Sequence, residues 1–113
     1  AEPHLRLHDG TPLAPRLTRA TQDAAPRPLR GTALITGGLG VLGGLTARHL
    51  VTAHGVRHVV LVGRHGDATP GAAELRAGLA ELGATTTAAA CDVADRDASS
   101  VTVHIVVRKF SER

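Results

Sequence analysis

The sequence predicts an α/β fold, one half of a doubly wound parallel sheet, in the order strand, helix, strand, helix, strand over residues 31–98. Three observations predict it. Two apolar runs, Ala33-Leu34-Ile35-Thr36 and Val59-Val60-Leu61-Val62, have the continuous hydrophobicity of strands covered on both faces. Helical patterns follow each run, and a connection through a helix brings the next strand in parallel. A glycine cluster, Gly37 to Gly43, lies where the first strand must pass into the first helix.

The elements follow in chain order. Residues 1–30 read as an edge hairpin and linker: His4-Leu5-Arg6-Leu7-His8 alternates with period two, and Asp9-Gly10 is a turn dipeptide. Leu13 and Leu17 lie on the returning side, where Pro12 and Pro15 restrict it to an edge or extended coil. After the glycine cluster, Leu42, Leu45, His49, Leu50 and Ala53 recur at helical spacing, and Gly55 closes that helix. Gly63-Arg64-His65-Gly66 is a loop. Thr69 is placed to cap a second helix with Pro70 at its first position, Leu75, Leu79 and Leu82 on its apolar face, and Gly83 at its end. Gly78 inside that helix costs about 1 kcal/mol relative to alanine. Thr85 to Ala90 is a third, weaker strand running into Cys91-Asp92.

The tail, residues 99–113, is compositionally atypical. It contains no Ala, Gly, Leu or Pro, yet holds all three serines, the only Lys and the only Phe. Val101, Val103 and Ile105 alternate, so the tail can supply one further strand. A truncation, a change of reading frame and appended sequence are three readings of its composition. If the tail does not pair with the first strand, that strand is an open edge, and self-association through it is expected.

Composition narrows the function classes. Leu, Val, Ile and Phe number 14, 11, 2 and 1 in 113 residues, above the roughly 20% below which a charged chain stays unfolded. No apolar run approaches the roughly 20 residues of a membrane span, and Ala1 to Arg6 lack the plan of a secretion signal. One cysteine, Cys91, fits a reducing cytoplasm and behaves as a small buried hydrophobe. The net charge of +3 invites a nucleic-acid reading, but the arginines are scattered and no aromatic residues interleave them, so no nucleic-acid partner is expected. His54 and His58 are separated by Gly55, no cysteine pair exists, and no metal site is expected. The absence of Tyr excludes any mechanism that uses a phenol of this chain as acid or base.

One motif carries chemistry. Gly38-Leu39-Gly40-Val41-Leu42-Gly43 follows a predicted strand and opens a predicted helix, the context in which Gly-x-Gly-x-x-Gly binds a dinucleotide. The chain turns tightly, its backbone approaches a pyrophosphate without a Cβ in the way, and the helix presents N–H groups and its positive end. The alternative is a tight turn and nothing more. At the end of the second strand, where NAD enzymes place an acid for the ribose 2′-hydroxyl, this chain has Arg64 and no carboxylate until Asp67. Arg64 is therefore a candidate for a 2′-phosphate, favouring NADP over NAD, against the alternative of a solvated loop arginine. Asp92, at the end of the third strand, is either a ligand contact or a helix N-cap.

These segments resemble a known family. Thr36 to Gly43, Ala47-Arg48-His49-Leu50, His54 to His58 and Cys91-Asp92-Val93-Ala94-Asp95 are similar to the ketoreductase domain of modular type I polyketide synthases, within the short-chain dehydrogenase/reductase superfamily. Residues 1–30 resemble the end of the structural half-domain that precedes the catalytic half. The resemblance implies a truncated Rossmann-like fold in which Thr36, Gly37, Gly38, Leu39, Gly40, Leu42 and Gly43 line the pyrophosphate turn. It implies that Arg64 contacts the 2′-phosphate, with His65 replacing a usual second arginine, and that Cys91, Asp92 and Val93 flank the adenine. The implied cofactor is NADP(H), and the implied partners are an acyl carrier protein and the other synthase domains. The family's catalytic Ser, Tyr and Lys fall outside the resembling segment: the only Lys is Lys109, and four residues before it stands Ile105. The chain thus reads as the NADP(H)-binding part of a β-ketoacyl reductase, with a non-catalytic nucleotide-binding or interaction fragment, or a gene remnant, as the alternative.

Overall fold

A computed structural model describes residues 2–21 and 24–111 of the chain. An N-terminal hairpin pairs β1 (Arg6–His8) with β2 (Thr11–Leu13), antiparallel. Asp9 and Gly10 take φ of 48° and 78°, the pair of left-handed residues that a two-residue hairpin turn requires. All six paired residues are exposed. The linker is held to the body near its end: the Leu29 N–H donates to the His54 carbonyl (2.9 Å), and His54 Nδ1 donates to the Arg27 carbonyl (2.7 Å).

The body is a three-stranded parallel sheet in the order β3 (Thr32–Thr36), β4 (His58–Gly63), β5 (Thr85–Ala90). Each strand is followed by a helix: α1 (Val41–His54), α2 (Ala72–Glu81) and α3 (Arg96–Ser111). Alternate residues of β4 enter different cores. Val59 and Leu61 pack with Ala47 and Val51 of α1 and Leu79 of α2, while Val60 and Val62 pack with Cys91 under Ala98 and Val106 of α3. Helices thus lie on both faces, as a doubly wound half requires. Gly55 ends α1 in the left-handed conformation (φ 70°), as the sequence predicts.

Four expectations are corrected. The buried stripe of α1 is Gly43, Gly44, Ala47 and Val51, whereas Leu42 and Leu45 are exposed. The reason is Gly43: a Cβ there would lie 2.5 Å from the Gly38 Cα, so this residue must face the turn, and it sets the rotation of the whole helix. Second, β3 is not covered equally on both faces: Ala33 and Ile35 pack against the α1 side, while Leu34 on the opposite face remains 38% exposed. Third, Thr69 does not cap α2. Gly66–Ala68 form a 3₁₀ turn, the Thr69 N–H bonds back to the Gly66 carbonyl (3.1 Å), and α2 starts after Gly71. Fourth, residues 96–111 are helical rather than a further strand. Asp95 Oδ1 accepts from the N–H groups of Asp97 (3.0 Å) and Ala98 (3.1 Å), an N-cap that commits the segment. Ala98, Thr102 and Val106 then place the less exposed side chains at intervals of four. No strand lies on the outer side of β3 among the described residues.

Candidate functional site

The three parallel strands end in register: Thr36 pairs opposite Val62 and Gly63 opposite Ala90. Their carboxyl ends bring the glycine turn, Arg64 and Cys91-Asp92-Val93 to one edge of the sheet, where open α/β sheets bind ligands. Two backbone bonds tie the pieces together. The Gly38 N–H donates to the Val62 carbonyl (3.1 Å), and the Cys91 N–H donates to the Gly63 carbonyl (2.9 Å).

The three motif glycines have different reasons to be glycine. At Gly38 a Cβ would lie 2.7 Å from the Ile35 carbonyl oxygen and 3.0 Å from the Leu61 Cα, so the turn could not sit on the sheet. At Gly43 a Cβ would collide with the Gly37 carbonyl and with Gly38, so the helix could not pack on the turn. Gly40 is unlike both. Its φ of −86° suits any residue, and a Cβ would meet only the Gly37 carbonyl oxygen, at an ordinary 3.4 Å. Packing within the chain does not demand glycine here. Gly40 is also the N-cap of α1, without a side-chain bond, where Ser, Asp or Asn would cap better. What Gly40 leaves clear is the approach to the first-turn N–H groups, which have no intrahelical acceptor. With no acid in the first turn of α1, that end remains electropositive.

The remaining predicted residues divide. Thr36 and Leu42 are exposed at the strand end and the first turn of α1. Leu39 turns inward, 8% exposed, and its side chain packs beneath Gly63, so only its backbone can face a ligand. Arg64 is exposed just beyond β4, and none of the three ion pairs among the described residues includes it. The Cys91 thiol is buried against α3, 3.9 Å from Ser99 Oγ, which leaves its backbone at the strand end. Asp92 is exposed; its Oδ1 accepts from the Ala94 N–H (3.0 Å), a local turn, and the helix-capping alternative falls to Asp95 instead. Thr36, Cys91 and Val93 also border one cavity of about 210 Å³ between the strand ends and α3.

One feature escapes sequence reasoning. Asp67, the first carboxylate after β4, is bound by Arg76 from α2: Nη1 lies 2.6 Å from Oδ1. The two are nine residues apart and on different elements, and neither forms a recognisable motif alone. Among the described residues no group of three or more His, Cys, Asp or Glu side chains is arranged to hold a metal, and no helix is long and apolar enough to cross a membrane.

Comparison with known proteins decides the family. A family model described as the KR domain matches residues 31–112. The chain belongs to this ketoreductase domain family. The KR match includes the atypical tail from residue 99 onward. A spectinabilin polyketide synthase system protein of Streptomyces orinoci is 54% identical over 100 residues, covering 86% of this chain and 3% of that synthase. The erythronolide synthase EryA2 of Saccharopolyspora erythraea is 62% identical over 76 residues, covering 67% of this chain and 2% of that protein. Among solved structures, an A-type ketoreductase of a modular polyketide synthase superposes with a TM-score of 0.78 at 42% identity, covering 90% of this chain and 22% of that one. The ketoreductase from the first module of phoslactomycin biosynthesis in Streptomyces sp. HK803 gives 0.74 at 40% identity, covering 93% and 25%. The chain therefore spans a small share of the synthases and about a quarter of the solved ketoreductases it matches.

Proposed function

We propose that this KR-family chain is the NADP(H)-binding part of a β-ketoacyl reductase of a modular polyketide synthase, acting in the cytoplasm. When bound, NADPH supplies a hydride for the β-keto group of a chain carried on an acyl carrier protein. Residues of this chain address the other end of the cofactor. The turn from Thr36 to Gly43 and the first N–H groups of α1 receive the pyrophosphate. Arg64 pairs with the 2′-phosphate, and Cys91, Asp92 and Val93 edge the adenine, Asp92 accepting from its exocyclic amine. The fit rests on Gly40, a glycine that the chain's own packing does not require and a phosphate would. The preference for NADP gains support from Asp67, whose carboxylate is engaged by Arg76 rather than offered to a ribose hydroxyl.

Nucleotide binding without turnover is a second reading, favoured by one observation. The chain contains no Tyr, and its only Lys, Lys109, stands in α3 four residues after Ile105. Both readings share the same binding site, which is tested by calorimetric titration with 2′,5′-ADP and 5′-AMP. A hydrogen bond to a charged group contributes about 1.5–3 kcal/mol. Arg64→Ala is accordingly expected to weaken 2′,5′-ADP by about tenfold to a hundredfold and to leave 5′-AMP unchanged. Equal binding of the two ligands by the folded wild-type chain contradicts the NADP assignment.

A further inference from the structure

We propose that Arg76 is a positioning residue that sets cofactor specificity: by holding Asp67 it keeps the first carboxylate after β4 away from the cofactor ribose. This deepens, and rests on, the NADP(H) reading above.

The guanidinium of Arg76 is committed at all three nitrogens. Nη1 donates to Asp67 Oδ1 (2.6 Å), Nε to the Thr86 hydroxyl (3.1 Å) and Nη2 to the Thr86 carbonyl (3.2 Å). A planar fork bonded in this way is fixed in direction, since rotating it for one partner forfeits the others. The side chain is rooted in α2 and β5, and from there it reaches the loop after β4. The loop has a second anchor. Gly66, buried at φ 51°, lies so close to the end of β5 that a Cβ would meet that of Ala90 at 3.1 Å. Arg64, between the end of β4 and these anchors, leads into a 3₁₀ turn of defined shape, Gly66–Ala68, with Asp67 on it.

The chemistry gives that geometry a consequence. A carboxylate beyond the second strand can accept a hydrogen bond from a ribose 2′-hydroxyl, and it repels a 2′-phosphate. Asp67 is 64% exposed, and Arg76 is the residue that holds its carboxylate. Arg76 neutralises the charge and aims it toward α2 and β5. The same contact that stiffens the Arg64 loop thus removes the group that would favour NAD.

The test uses the intact 113-residue chain and the affinity ratio of 2′,5′-ADP to 5′-AMP, measured by calorimetry on samples shown folded by circular dichroism. Arg76→Leu is expected to lower the ratio by about twofold to fivefold, the scale of charge interactions at exposed sites. The double variant Arg76→Leu with Asp67→Asn should restore it, although the loop has lost the same anchor. Asp67→Asn alone should keep at least the wild-type ratio. A ratio unchanged in Arg76→Leu, or lowered and not restored by Asp67→Asn, overturns the proposal. Should Arg76→Leu fail to fold, Arg76→Gln is measured with and without Asp67→Asn, and the same two outcomes decide. A wild-type chain that binds the two ligands equally overturns the NADP(H) reading itself. A discriminating wild type with an indifferent Arg76 variant overturns this inference alone.

Discussion

The two faces of the sheet share strand β4 yet are finished differently. On the face covered by α1 and α2, the glycine and alanine surface of α1 sits close to the strands, and Val59, Leu61 and Leu79 have no exposure. On the face covered by α3, Val60, Val62 and Cys91 are buried, but Leu34, Val93, Val101, Val103, Ile105 and Val107 remain 38–58% exposed. Two helices cover one side, with Val41, Leu42 and Leu45 of α1 59–82% exposed; one helix covers the other side and leaves Leu34 of β3 partly open. The glycine turn leads into α1 on the closed side, so the proposed pyrophosphate contacts need nothing from the open one. The difference teaches that the proposed pyrophosphate contacts can be complete on one side of a chain whose other side, which carries Cys91 and Val93 of the proposed adenine edge, is not.

The largest effect that would break this comparison is at Leu79. Truncating a fully buried leucine costs about 2–5 kcal/mol, a large share of the 5–15 kcal/mol typical of a domain. Leu79→Ala should therefore abolish the folding transition or sharply lower its denaturant midpoint, whereas Val106→Ala, at a half-buried position on α3, should cost less than about 1 kcal/mol. Equal losses would mean that the faces are equally complete. The next effect concerns the open edge. β3 carries no Pro, Lys or other charge to deter pairing with another chain, so sedimentation should show concentration-dependent self-association. Leu34→Lys should shift the population toward monomer; an unchanged distribution would place the contact elsewhere. The smallest effect is at Gly78. In α2 its missing Cβ would lie 2.8 Å from the mobile Nη2 of Arg48, which can move aside. Gly78→Ala should raise stability by no more than about 1 kcal/mol, read as a small increase in melting temperature.

Much of the closed side was legible in the sequence. Strand β5 matches its expected span, and β3 and β4 extend theirs by a residue or two at the ends. The Gly-x-Gly-x-x-Gly turn and the Gly55 cap stand where their local chemistry requires. What was not legible depends on contacts between distant residues. Large leucines at helical spacing suggested one buried face for α1, but the contact of Gly43 with the turn rotates the helix so that small residues face inward. In α3, alternating Val101, Val103 and Ile105 compete with the four-residue spacing of Ala98, Thr102 and Val106, and the Asp95 cap tips the balance. Periodicity over so short a stretch of β-branched residues fits both patterns. The 3₁₀ turn that displaces the start of α2, and the Asp67–Arg76 pair beside it, leave no local signal at all.

The central claim is that the glycine turn is a phosphate cradle rather than a tight turn alone, and Gly40→Asp tests it most directly. Aspartate is a favoured N-cap and stabilises a helix N-terminus, so a turn with only a structural task should accept it. In a phosphate cradle the same carboxylate stands where the pyrophosphate must approach, and like charges in contact cost several kcal/mol. Calorimetric titration with NADP, beside a thermal melt of the same sample, reads both at once. The account predicts an unchanged or higher melting temperature together with at least about a tenfold loss of NADP affinity. A folded Gly40→Asp chain that binds NADP as the wild type does would contradict it.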